Sequence, residues 1–250
     1  MTQILLNAMA IPAACELNKP VFKKMFLENG ELDATEKKAL SNDIERIRWL
    51  YTLKPITINI PKFEDGNVEY QEVAVLQVDL TSPARARRIA SFINKAIPYP
   101  LFLIFSHNGT FAVSVANKRI NQADKAKWVI DEEWMTDWIS EASPSDIQSK
   151  FIEDCALKNL SSLNFYAFYQ DMVSRVVALN TASRSGIYEA PTREKTDARR
   201  SQLREIAELE RQAAELRNAL KQESQFNRKL ELNMAIKERT DAIKRLEQVL

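Results

Sequence analysis

The residues of this chain that could do chemistry are few and dispersed. It has a single histidine, His107, and two cysteines, Cys15 and Cys155. A nucleophilic triad with an imidazole base has one candidate, and His107-Asn108-Gly109 reads as a hairpin tip, a wet place poorly suited to a desolvated base. Zinc asks for four protein ligands, or three and a water, which one histidine and two distant cysteines do not supply. Each cysteine sits among apolar neighbours and is expected to be a small buried thiol. Neither the phosphate-loop pattern ending in Gly-Lys-Ser/Thr nor the dinucleotide glycine fingerprint occurs, and 4 glycines in 250 residues leave little material for such loops. The remaining option is a divalent metal held by carboxylates on adjacent strands, as in a nuclease. Asp79 and Glu72 bracket one strand, but seven positions of separation turn them to opposite faces. Gln77 shares the face of Asp79, and no lysine accompanies them. The sequence therefore leads one to expect no catalytic residue, no metal and no cofactor, and a protein that is not an enzyme.

The elements that would position these residues follow from periodicity. Residues 1–53 read as helical: Asp33 and Glu36 form a capping-box pattern, and Leu40, Ile44, Ile47, Leu50 and Tyr51 recur at helical spacing. Ile56, Ile58 and Ile60 then alternate with polar residues as in a strand. A turn at Asp65-Gly66 leads to a second strand, 72–80, and Ser82-Pro83 is a good helix start. Leu101–Phe105 is apolar on both faces, as a central strand is. Asn108-Gly109 predicts a hairpin into Phe111–Val115, and Trp128–Ile130 opens a fifth strand. The expectation is an α+β fold with a mixed five-stranded β-β-α-β-β-β sheet over 56–135, flanked by helices that include 143–182. Phe165, Phe168, Tyr169, Met172, Val173, Val176 and Val177 form a helical stripe that reads as core rather than as a ligand pocket.

The globular domain thus spans 1–182, a polar linker 183–197, and a coiled-coil segment 198–250. In the last, Ile206, Leu209, Ala213, Leu216 and Leu220 step by three and four, a heptad seam. Leu232, Ile236, Ile243, Leu246 and Leu250 make a second seam, out of phase with the first across 221–229. Either the helix folds back as an antiparallel hairpin, with Phe226 plugging the bend, or one long helix carries a stutter; arms of similar length favour the hairpin. An apolar seam must be covered, so these residues and Phe226 are candidates for binding a protein partner or a second copy.

Formal net charge is +1, so bulk charge names no partner, but its distribution is uneven. No acid lies between Asp79 and Asp124, an interval that holds Arg85, Arg87, Arg88, Lys95, Lys118 and Arg119; Lys125 and Lys127 follow. Brought together, these would dock nucleic-acid phosphates. An acidic strip follows from Asp131 to Asp154, and pairing of the two strips is the plainer alternative. The N-terminal apolar run has no basic residues ahead of it and reads as an amphipathic helix rather than a signal peptide. No stretch reaches the ~18 apolar residues of a membrane span, and a cytoplasmic location is expected.

Several segments together, 46–61, 72–80, 97–100, 118–128, 164–180 and 221–233, resemble a bacterial family catalogued as domain-of-unknown-function family 4391. The resemblance runs over nearly the whole chain and includes the break at Gln225-Phe226-Asn227. It brings no catalytic residues, because the family has no established activity. It implies a gene neighbourhood of helicases and DNA methyltransferases, hence an accessory component of a restriction-like or anti-phage defence system with one of these as partner.

Overall fold

The computed structural model describes residues 2–29, 31–124, 128–248 and 250; Lys125 and Lys127 lie outside them. In chain order the elements are α1 (Gln3–Met9), β1 (Glu16–Val21), α2 (Lys23–Asn29), α3 (Ala34–Asn42), β2 (Ile44–Leu53) and α4 (Pro55–Ile58). The short strands β3 (Phe63–Glu64) and β4 (Glu69–Tyr70) precede β5 (Val73–Leu80), α5 (Ala86–Ala96), β6 (Leu101–His107), β7 (Thr110–Ile120), β8 (Trp128–Met135) and β9 (Ile139–Ser140). Helices α6 (Asp146–Asp154), α7 (Phe165–Ser185), α8 (Arg193–Gln222) and α9 (Phe226–Glu247) complete the chain.

The α+β class, the mixed sheet and its flanking helices are as expected. The sheet is larger, with seven strands in the order β1-β2-β5-β6-β7-β8 and β9 on β7, beside a separate β3-β4 ribbon. Only β5 and β6 run parallel among the ladders, joined by the crossover helix α5. Two apolar layers enclose the sheet. Val73, Val75, Phe102, Ile104, Val113 and Val115 pack with α1, α6 and α7. Ala74, Leu76, Val78, Leu103 and Phe105 pack with α2, α3 and α5 on the other face. The predicted α7 stripe is buried in the first layer. Among the described residues no helix is long and apolar enough to cross a membrane.

Three local expectations are corrected. Residues 1–53 are not all helical, because β1 and β2 lie within them. The spacing that imitated a helix comes from bulges: the β2–β5 register shifts between Ile44 and Arg46 and again between Trp49 and Tyr51. Each bulge adds one residue and flips the face that follows, so Ile44, Ile47, Leu50 and Leu53 are buried at steps of three. Residues 56–60 are not a strand. Pro55 presets the first helical φ, the Lys54 backbone N–H donates to Thr57 Oγ1 at 2.9 Å, and Asn59 ends this turn in the left-handed region at φ 55°. Finally, the linker is shorter than 183–197. α7 runs to Ser185, Gly186 closes it at φ 80°, and α8 starts at Arg193.

The chain folds back at Glu223-Ser224-Gln225, and α8 packs along α9 as the antiparallel hairpin. The Asp33–Glu36 capping box is present at α3. Asn108 and Gly109 take φ 46° and 75°, the turn that Asn-Gly favours between antiparallel strands.

Candidate functional site

Asp79 lies near the end of β5, opposite Arg46 on β2 and Ser106 on β6. Its Oδ1 accepts from Gln77 Nε2 at 2.5 Å and from the Ser106 hydroxyl, and its Oδ2 accepts from Arg46 Nε. Gln77 Oε1 in turn accepts from Arg48 at 3.2 Å and from the Thr2 hydroxyl at 3.3 Å. Burial alone would raise the Asp79 carboxyl, but the hydrogen bonds from Ser106, Arg46 and Gln77 outweigh it and hold it below the usual carboxylate range. Its partners are a hydroxyl, a guanidinium and an amide, and Glu72 pairs instead with Lys54 at 3.8 Å. Among the described residues no group of three or more histidine, cysteine, aspartate or glutamate side chains could hold a metal ion. The arrangement is a polar clasp across three strands in which Arg46 neutralises Asp79. His107, expected in a solvated turn, is half-buried at the end of β6, with Nδ1 3.0 Å from Leu80 O and its ring edge-on to Trp138. Cys15 and Cys155 are buried free thiols, and burial pushes Cys155 up to about 12.

The basic strip is divided by the topology. Arg85, Arg87 and Arg88 stand at the start of α5, beyond the end of β5. β7 runs antiparallel to β6 from Thr110, beside His107, so Lys118 lies about 27 Å further along at 3.4 Å per residue, and Arg119 follows it. Arg85 makes a two-point bond to Asp43 at 2.5 and 2.7 Å, Arg88 reaches Asp33 at 3.1 Å, and Arg119 reaches Asp131 at 2.7 Å. The acidic strip is answered again by α8, where Arg200 and Arg204 both meet Glu132. Arg87 is exposed and Lys95 sits in the last turn of α5.

Lys118 is buried rather than on a basic surface. Its ammonium donates to Ile97 O and Tyr99 O, each at 2.7 Å, tying down the carbonyls that follow the last turn of α5. Burial lowers its pKa to about 7, against the pull of Glu133. Glu133 is raised by burial, tempered by the Asn94 amide at 2.9 Å and by Lys118. Neither role is readable from charge order, which carries no depth.

In the hairpin, the predicted seam is largely occupied by the chain itself. Ile206 is fully buried, and Leu209, Leu216, Leu220, Leu232, Ile236, Ile243 and Leu246 are half-buried between the arms or over the body. Arg184 at the end of α7 grips both arms, bonding Glu210 on α8 and Glu247 on α9 at 3.0 Å each. Phe226 does not plug the bend. It opens α9 at 78% exposure, followed by Leu230 at 54% and Met234 at 65%. Steps of four align these three on one stripe. At 100° per residue that stripe faces away from the side carrying Leu232, Ile236 and Ile243, which meets α8. Leu230 and Met234 are missed by a heptad reading, because they belong to neither seam.

Against family models, residues 9–243 match that of a domain of unknown function, DUF4391. No curated protein and no solved structure matches the chain.

Proposed function

The chain belongs to the DUF4391 family of domains of unknown function, and we propose that it is a non-enzymatic accessory subunit whose helical hairpin docks a protein partner. The observation that carries this reading is the exposed stripe Phe226, Leu230 and Met234 near the bend. Three large apolar side chains at i, i+4 and i+8 on a projecting helix are the anchors of helix-in-groove recognition. A second copy is a poor occupant. Two convex helices meeting along three side chains cover far less than the ~800 Å² per partner of a stable interface. A partner with a concave apolar groove can surround the stripe. The gene neighbourhood that the resemblance implies favours, as that partner, a helicase or DNA methyltransferase of a restriction-like or anti-phage system.

Deleting 198–250 is not a clean test, since it strips Leu203 from the body's core. The triple variant Phe226→Glu, Leu230→Glu, Met234→Glu changes the exposed stripe alone. Co-expressed with a helicase and a DNA methyltransferase encoded beside a member of this family, the full chain is expected to co-purify with one of them and the triple variant to lose it, both with the same circular dichroism. Equal co-purification of the folded triple variant, or no co-purification of the unaltered chain, sinks the proposal.

A further inference from the structure

β8 ends the large sheet and pairs with β7 on one side. Its side chains alternate between the two layers. Glu132 and Trp134 turn toward α7 and α8, where Arg204 meets Glu132 and Trp134 packs on the first core. Glu133 and Met135 turn toward α5, where Asn94 bonds Glu133 and Met135 joins the second core. A pocket within either layer would draw on one of these sets. The cleft of about 590 Å³ found here is lined by both sets, and by Arg87 of α5 and Ala207 of α8 from opposite layers. The part of a strand that meets both layers is its edge, so the cleft runs along the outer backbone of β8.

Hydrogen bonds identify the groups that face it. Thr136 N donates inward to Val113 O of β7 at 2.9 Å. Residues two apart share a direction in an antiparallel ladder, so the Trp134 and Glu132 backbones also turn to β7, and those of Met135 and Glu133 turn outward. The Met135 carbonyl is met from that outer side by Asn180 Nδ2 at 3.2 Å, as this assignment requires. The N–H of Met135 and both backbone groups of Glu133 then face the cleft.

Charge selects the occupant. Of the lining carboxylates, Asp131, Glu132 and Glu210 are each ion-paired, with Arg119, Arg204 and Arg184, which leaves Glu133 and Asp137 against the one remaining guanidinium, Arg87. A second copy of β8 would set Asp131–Glu133 against itself, with like charges opposed. An extended segment that alternates basic and apolar residues suits both the open backbone and the acidic lining. We propose that the β8 edge is a strand-addition site for an extended, basic–apolar segment of a partner protein. This site stands apart from the α9 stripe and does not depend on it.

The test uses the full chain and a fluorescein-labelled acetyl-(Lys-Val)4-amide peptide, followed by fluorescence anisotropy. Saturable binding is expected. N-methylation of alternate backbone nitrogens should weaken it at least about tenfold, because strand addition needs those N–H groups. Asp137→Lys, a change at an exposed position, should weaken it several-fold with the circular dichroism spectrum unchanged. The acidic peptide acetyl-(Glu-Val)4-amide should bind at least about tenfold more weakly. Absence of saturable binding, equal affinity for the N-methylated peptide, equal affinity for the acidic peptide, or full affinity in folded Asp137→Lys each overturns the proposal.

Discussion

The Nε–H of Arg239 on α9 donates to Gln212 Oε1 on α8 at 2.9 Å, and among the described residues this is the outermost hydrogen bond between the two arms. Beyond it α8 continues for ten residues to Gln222, about 15 Å at 1.5 Å per residue. That length is held to α9 by half-buried apolar side chains such as Leu216, Leu220, Leu232 and Ile236. The tip is thus tied more weakly than the base, where Arg184 grips both arms.

Arg239→Ala removes that link. Arg239 is a charged donor, a third exposed, so its bond is worth about 1–2 kcal/mol, and because it ties only the hairpin, global unfolding in urea should shift little. Amide exchange should quicken in 213–238 and stay unchanged in α7. Equal quickening in α7 would show that hairpin and body open as one unit.

Burial separates two apolar residues of the hairpin that composition treats alike. Ile206 is fully buried, and Ile206→Ala should cost about 2–4 kcal/mol, part transfer and part cavity. Phe226→Ala, at 78% exposure, should stay within about 0.5 kcal/mol. Urea denaturation of both variants measures the contrast, and a large loss for Phe226→Ala would place that ring in a contact other than the one described.

The contrast marks how far the sequence could be read. Patterns whose cause is local were legible: the Asp33–Glu36 box, the Asn108-Gly109 turn, the α7 stripe, and the fold-back between the two seams. Ile44–Leu53 was misread because two bulges turn a strand's alternation into steps of three, a change that depends on pairing with β5. Ile56–Ile60 was misread because one turn set by Pro55 and Thr57 overrides alternation. The basic strip stayed open in the sequence for a different reason. Arg85 and Arg119 belong to one run in sequence but to opposite ends of the sheet in space, and Lys118 points inward. The β8 edge had no signal beyond the strand itself, since an edge is defined by what does not pair with it.

The Asp79 clasp yields a stability prediction with a definite sign. Asp79→Ala leaves the buried Gln77 amide and Ser106 hydroxyl without their acceptor, at a cost of about 1–3 kcal/mol, while the more than half exposed Arg46 guanidinium turns to water. Because the folded carboxyl lies below its unfolded value near 3.9, its contribution is complete above pH ~4 and is lost as pH falls through the folded value. Urea midpoints should therefore fall more steeply below pH ~4 for the unaltered chain than for Asp79→Asn. Parallel curves would show that the carboxylate charge contributes nothing there.

Lys118 gives the opposite dependence. Its folded pKa is about 7, and the unfolded side chain titrates near 10.4. Between these values the unfolded chain holds a proton that the folded chain lacks, so this group makes stability rise with pH, by at most about 1.4 kcal/mol per unit. Cys155 acts the other way above about pH 8.5, since its thiol is raised in the folded chain and the unfolded thiol loses its proton first. The clean window is therefore pH 7 to 8.5. Lys118→Met leaves the Ile97 and Tyr99 carbonyls without their donor, a penalty nearly independent of pH, and removes the titration. Urea denaturation across that window should show stability rising more steeply with pH in the unaltered chain than in Lys118→Met. Equal slopes would mean that the buried ammonium keeps its proton throughout, and that the two carbonyls and Glu133 compensate for its burial.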